Sequence, residues 1–248
     1  MTPDFLDTPQ GRRLAYRRAE GRGPVVVFLP GLRSDMEGTK AVDLHAWAEA
    51  EGRAFLRFDY SGHGQSSGTF EEGCIGDWAE DVAAMLATVA GPLVLVGSSM
   101  GGWQALLAAR AMPERVAGLV TIAAAPDFTD AMLGPEARAE MERAGQVALP
   151  SEYGAPLIVT RRLIEDGARH RVLAAPLRLG MPVRMLQGTA DADVDPAVAL
   201  RLLDHAEGPD IRLTLVKSAD HRFSDPGCLD LVRRTVAEVC APPAPEGG

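Results

Sequence analysis

Cysteine is scarce in this chain: Cys74, Cys228 and Cys240 are the only three in 248 residues. They are too few and too scattered for a disulfide framework or a zinc cluster, and they read as free thiols in a reducing compartment. An excess of basic charge is also missing. Lys and Arg number 25 against 34 Asp and Glu, a net charge of −9. A chain of that sign has no general attraction for nucleic acid or anionic membranes. The start, MTPDFLDTPQGRRLAYRR, lacks the apolar core of a signal peptide, and Asp4 and Asp7 argue against a mitochondrial transit peptide. The expected location is therefore cytoplasmic. A membrane span is lacking as well. Val82–Ala109 carries no charge, but Gly91, Pro92, Gly97, Ser98, Ser99, Gly101, Gly102 and Gln104 divide it into apolar pieces far below ~20 residues.

What is present is a globular composition, 46% hydrophobic and 24% charged, with enough apolar surface to offset chain entropy. Short apolar runs alternate with helical stretches. The runs Pro24–Leu29, Ala54–Phe58, Pro92–Val96, Val116–Ala124, Val183–Leu186 and Ile211–Val216 read as strands. Thr39–Glu51, Ile75–Ala90, Met100–Met112, Pro196–His205 and Leu229–Val239 read as helices. Fully apolar strands separated by helices predict an α/β fold, a mostly parallel sheet covered on both faces. Asp127–Gly180 breaks this rhythm. It is more polar, with helical pieces near Pro135–Ala144 and Leu157–Asp166 and no clear strand, and reads as a small helical cap. The expected organisation is a core of 1–126 and 181–240, a cap insertion at 127–180, and a Pro/Gly-rich tail at 241–248.

The strongest chemical signal is Gly97-Ser98-Ser99-Met100-Gly101, a G-x-S-x-G pattern. It follows the strand PLVLV directly and opens a helix directly, the setting of a nucleophile elbow. So tight a turn strains Ser99 and admits only small residues two positions either side. The bland alternative is a Gly/Ser-rich turn with no nucleophile. Serine is inert without a base. Of the five histidines, His45 and His205 fall in helices, His170 in the cap and His63 in a Gly-rich loop. His221 follows the strand IRLTLV, at the carboxyl end of the sheet where α/β sites are built. The acid must follow another strand, and TADADVDP offers Asp191, Asp193 and Asp195. The order Ser99, Asp191, His221 is that of the elbow fold. Asp191 is the first choice and Asp193 the second, while Asp195 before Pro196 reads as a helix N-cap. The D-x-D-x-D run is not a calcium loop, because Pro196 stands where Gly is needed and Leu202 where Glu is needed. Backbone N–H groups of Met100, after the nucleophile, and Leu32, after the PVVVFL strand, are the candidate oxyanion donors. Gly62-His63-Gly64-Gln65-Ser66-Ser67-Gly68 is not a dinucleotide fingerprint; it reads as a tight turn whose amides bond Asp59.

With these residues in place, the chain resembles the α/β-hydrolase superfamily over roughly residues 11–240. More narrowly it resembles the branch of mitochondrial palmitoyl-protein thioesterases and acyl-glucuronide esterases. The matching stretches are LPGLRSDMEGTKA (29–41), RFDYSGHGQSSG (57–68), VGSSMGGW (96–103), LPSEY (149–153) and SADHR (218–222). The resemblance implies an α/β-hydrolase fold and a triad falling on Ser99, Asp191 and His221. It also implies oxyanion donors at Leu32 and Met100. The acid loop departs from the usual pattern, beginning Gln187-Gly188 instead of His-Gly and reading Val194-Asp195 instead of Val-Pro.

The expected activity is hydrolysis of carboxylic esters or acyl thioesters, with no cofactor and no metal required. The expected partner is a small-molecule acyl substrate or an acylated protein, with cap residues Leu133, Met141, Leu149, Tyr153, Leu157 and Ile158 lining an acyl channel for medium or long chains. Each of these six reads equally well as packing between cap and core. The near rivals are a peptidase or carbon–carbon bond hydrolase on the same triad. The distant rival is a non-catalytic binding protein on a hydrolase scaffold.

Overall fold

The computed structural model describes residues 2–150 and 155–241. The expected tail beyond residue 241 and the candidate Tyr153 lie outside the described residues. In chain order the strands are β1 (Asp4–Asp7), β2 (Arg13–Ala19), β3 (Arg22–Leu29), β4 (Arg53–Phe58), β5 (Leu93–Ser98), β6 (Val116–Ile122), β7 (Gln146–Leu149), β8 (Leu157–Thr160), β9 (Leu177–Arg178), β10 (Val183–Gly188), β11 (Ala206–Glu207) and β12 (Ile211–Val216). The helices are α1 (Thr39–Ala50), α2 (Ile75–Ala87), α3 (Met100–Ala111), α4 (Pro135–Ala144), α5 (Arg161–Arg169), α6 (Pro196–His205) and α7 (Pro226–Val239).

Eight strands form one sheet in the order β1-β2-β4-β3-β5-β6-β10-β12. β2 runs antiparallel to β1 and β4, and every later neighbour pair is parallel. The period-two alternation of strand side chains divides the apolar residues between two cores. Val26, Phe28, Val94, Val96, Val120 and Ile122 face α1 and α7, meeting Leu44, Ala48, Val232 and Val236. Val27, Leu29, Leu93, Leu95 and Leu119 face α2 and α3, meeting Trp78, Val82, Met85, Trp103 and Leu106. Burial on both faces explains why the central strands are continuous apolar runs.

β1 and β2 were not visible as apolar runs. Phe5 at the edge is exposed, and β2, RLAYRRA, carries three arginines. Arg17 bonds Glu37, and Arg12, just before β2, bonds the buried Asp81. The segment between β6 and β10 also differs from the expected all-helical reading. α4 is present at the expected bounds, but β7 and β8 form an antiparallel pair and β9 pairs with β11. Helix was expected from Leu157; instead Leu157–Thr160 is strand. Ile158, Val159 and Thr160 are β-branched, which favours the extended chain. Thr160 then starts α5 by accepting from Leu163 N–H at 3.2 Å.

This segment is fastened to α2 and α3. Asp166 accepts from Gly76 N–H at 2.6 Å, Arg162 pairs with Asp77 at 2.7 Å, and Trp103 Nε1 donates to the His170 carbonyl. A cavity of about 420 Å³ at this seam is lined by Cys74, Asp77, Glu80, Arg162, Asp166 and His170 among others, and none of Ser99, Asp191 or His221 lines it. No helix among the described residues is long and apolar enough to cross a membrane.

Candidate active site

The nucleophile position is set by backbone crowding. Ser99 joins β5 to α3 with φ 55° and ψ −120°, a strained conformation for a residue with a Cβ. A Cβ on Gly97 would stand 2.2 Å from the Gly101 carbonyl oxygen, and one on Gly101 would stand 2.0 Å from that of Leu29. Both positions therefore exclude any side chain. The strained turn is held from outside: Ser99 N–H donates to Ile122 O at 2.9 Å, and Ala125 N–H donates to Ser99 O at 3.1 Å. Half-buried Ser99 thus caps the N-terminus of α3, where the helix dipole favours negative charge.

The loop after β3 comes alongside. A Cβ on Gly31 would lie 3.3 Å from Ser99 Cβ and 3.8 Å from Ser99 Oγ. Leu32 follows directly. Among the described residues, neither the Leu32 nor the Met100 amide has a hydrogen-bond acceptor.

The acid and base come from the ends of β10 and β12. Gly188 closes β10 against the carbonyl of Ala219, which a Cβ would meet at 2.2 Å. Ala190 N–H donates to that same carbonyl. Asp191 and His221, distant in sequence, are thereby brought together, and His221 Nδ1 lies 2.9 Å from Asp191 Oδ2. The Asp191 side chain is fully buried, and that of His221 is 20% exposed. Asp191 Oδ1 accepts from the amides of Asp193 and Val194 at 3.0 and 2.8 Å, and Oδ2 also accepts from Gln187 Nε2 at 2.9 Å. Burial opposes ionisation of Asp191, but the bonds from His221, Val194 and Gln187 outweigh it and hold the carboxyl below its usual range. An ionised Asp191 accepts the Nδ1 proton, which leaves His221 Nε2 as the free base. No hydrogen bond joins Ser99 Oγ to His221 among the described residues. Such contacts commonly tighten only when substrate is bound.

The runner-up acid falls elsewhere. The Asp193 side chain is exposed, although its carboxylate has an atom within 4.8 Å of atoms of Asp191 and His221. Asp191, Asp193 and His221 are the one such cluster that could hold a metal among the described residues. Both oxygens of Asp191 are already occupied by N–H donors, so the set is better matched to an acid–base pair. Asp195 caps α6, accepting from Ala197 N–H at 2.8 Å.

The other four histidines have structural partners. His45 Nδ1 accepts from Arg57, His170 bonds the Asp166 carbonyl, and His205 bonds that of Ala175. His63 is buried against the rings of Tyr60, Phe70 and Trp78. The Gly62–Gly68 turn is organised around Asp59, which accepts from Met36 and Gln65 amides.

Two residues beside the site were given no functional role from the sequence. Gln187 supports Asp191. Lys40 of α1 donates to the carbonyl of Arg222, next to His221; burial pulls its pKa down to about 8, partly countered by Asp220. The signals that could have drawn attention to them are the departure at Gln187-Gly188, the place of Lys40 in the LPGLRSDMEGTKA stretch, and their positions at a strand end and a helix start near the sheet's carboxyl edge.

A mostly parallel sheet that carries a serine elbow after β5 and, after β10 and β12, a histidine bonded to a buried aspartate has the architecture of a hydrolase. A family model described as "Alpha/beta hydrolase family" matches residues 26–245, and the chain belongs to that family. It is 38% identical over 244 residues to the mitochondrial palmitoyl-protein thioesterase ABHD10 of Rattus norvegicus, covering 96% of this chain and 82% of that one. Against the Homo sapiens protein of the same name it is 35% identical over 241 residues, covering 95% and 79%. Among solved structures it is similar to a putative hydrolase from Agrobacterium vitis S4, with TM-score 0.90, 39% identity and 97% of each chain covered. It is likewise similar to mouse alpha/beta hydrolase domain-containing protein 10, with TM-score 0.89, 36% identity and 96% and 98% covered.

These relatives correct the cytoplasmic expectation. The rat, mouse, bovine and human proteins are all named as mitochondrial, which points to that organelle instead. Asp4 and Asp7 lie in β1, paired with β2.

Proposed function

We propose that this chain hydrolyses acyl thioesters and carboxylic esters through an acyl-enzyme on Ser99. The observation that carries the reading is the buried Asp191 held 2.9 Å from His221 Nδ1, on a sheet whose neighbouring turn strains Ser99 into the open elbow geometry. Relatives named as palmitoyl-protein thioesterases support the thioester class.

In this reading His221 Nε2 takes the Ser99 proton as Oγ attacks the acyl carbonyl. The amides of Leu32 and Met100 donate to the oxyanion. Collapse expels the thiol or alcohol, protonated by His221, and leaves the acyl-serine ester. Water then gives a proton to His221 as its oxygen bonds the acyl carbon; the carbon–Oγ bond breaks, His221 returns the proton to Ser99 Oγ, and the carboxylic acid leaves. Asp191 holds the tautomer and stabilises the imidazolium.

The segment 127–180 acts as a cap that sets substrate choice. Leu133 and Met141 are buried in the main core cluster, so they serve packing. Leu149, Leu157 and Ile158 are half-buried and remain the candidates for an acyl channel suited to medium or long chains. The substrate extends to acylated proteins. The test is turnover of a palmitoyl thioester by wild type and Ser99→Ala. Turnover is expected to fall about 10⁴-fold or more in the variant. Wild-type turnover there overturns the proposal.

A further inference from the structure

The side-chain amide oxygen of Gln187, Oε1, is buried and has no donor among the described residues. The residue itself has no exposed surface. A buried polar atom without a partner is costly and calls for a cause. The cause lies at the other end of the amide. Gln187 Nε2 faces three oxygens: Asp191 Oδ2 at 2.9 Å, the Gly188 carbonyl at 3.2 Å and the Val194 carbonyl at 3.3 Å. Turning the amide over would set Oε1 against all three, so its orientation is determined by its surroundings. The three acceptors are the start, the centre and the end of the acid loop.

We infer that Gln187 is a positioning residue for the triad. It clamps the acid loop and shares Asp191 Oδ2 with His221, thereby setting both the direction and the basicity of the carboxylate that His221 leans on. This inference rests on the triad reading above. A neutral amide is suited to the task. It donates a hydrogen bond without a charge of its own, and it cannot take the proton that Asp191 must leave on His221. Two donors on one oxygen draw down its electron density, so the imidazolium is stabilised less than by an unshared carboxylate. Gln187 also contributes to holding Asp191 ionised.

The test compares Gln187→Met, which keeps the length and removes the donor, with Gln187→His, which restores a donor. The two amides on Asp191 Oδ1 remain in both. Gln187→Met is expected to lower kcat about tenfold with little change in KM, since the loss falls on a group acting in the chemical step. The acid limb of its kcat/KM profile is expected to move to higher pH by about half a unit. Gln187→His is expected to recover most of both. The proton resonance of His221 Nδ1–H, read on folded protein, is expected to shift in Gln187→Met whatever its stability. A wild-type profile and an unmoved resonance in Gln187→Met overturn the inference, as does a Gln187→His variant no better than Gln187→Met. If Ser99→Ala is inactive beside a wild-type-like Gln187→Met, only this inference fails. If Ser99→Ala is active, the triad reading fails with it.

Discussion

His221 Nδ1 lies 2.9 Å from Asp191 Oδ2 across thirty residues of chain. One helix, α6, and two strands, β11 and β12, fill that interval, and the loops at their ends are tied by Ala190 N–H on the Ala219 carbonyl and Ser218 N–H on Thr189 Oγ1. The pairing is a consequence of strand order, since β10 and β12 are parallel neighbours in register. Their carboxyl ends therefore leave the sheet side by side.

Asp191 and Asp193 separate cleanly by mutation. Asp191→Asn is expected to lower kcat about 10⁴-fold at neutral pH, because the amide no longer specifies the His221 tautomer. Asp193→Asn is expected to change kcat by less than about tenfold, since Asp193 is exposed and reaches Asp191 through its backbone amide. Steady-state kinetics on the two variants checks this. Equal losses would make the second carboxylate part of the machinery.

The elbow glycines should resist the smallest enlargement. Gly101→Ala brings a methyl group to 2.0 Å from a backbone oxygen that has no flexible side chain to yield. A loss of about 3 kcal/mol or more is expected. Gly134→Ala, which meets nothing within 4 Å, should be near neutral. Urea denaturation of both variants gives the comparison.

Lys40 imposes a pH dependence on stability. Burial lowers its pKa from 10.5 to about 8, against the opposing pull of Asp220. Between those values the unfolded chain holds a proton that the folded protein has released, so stability rises with pH. Below pH 8 both states are charged and the full cost of burying the ammonium is felt. The stability of wild type relative to Lys40→Met should therefore increase from pH 8 towards 10. A difference that stays constant across denaturation curves at pH 7.5 and 10 would contradict this.

Asp166 works in the opposite direction. Burial opposes its ionisation, but bonds from Gly76 N–H, the Cys74 thiol and Arg169 help to outweigh that and lower its pKa. Its contribution is present above the usual carboxylate range and is lost as pH falls through the folded value. Asp166→Asn should cost about 1 kcal/mol at pH 7 and little at pH 3, read from thermal melts at the two pH values.

The central sheet was legible because its strands are buried on both faces. PVVVFL and PLVLV are continuous apolar runs, and no helix of so few residues competes with them. The elbow was legible because crowding at Gly97 and Gly101 leaves no alternative residue type. β1 and β2 were hidden because their charged side chains stay at the surface or pair with partners elsewhere in the chain, as Arg17 does with Glu37. The β7–β8 pair was hidden because each strand has four residues, too few for alternation to be distinguished from helical spacing. The acid required a choice between Asp191 and Asp193 on sequence order alone. What distinguishes them is burial, the bond from Gln187 and the bond from His221, and the last depends on the neighbouring strand β12.

The most direct test is the intact mass of wild type and Ser99→Ala after treatment with a fluorophosphonate. The account predicts one covalent adduct on wild type and none on the variant, since only a serine activated by His221 and an oxyanion hole reacts at speed. An adduct that persists in folded Ser99→Ala, or no adduct on folded wild type, would contradict it; the second result would bring forward a binding protein on a hydrolase scaffold.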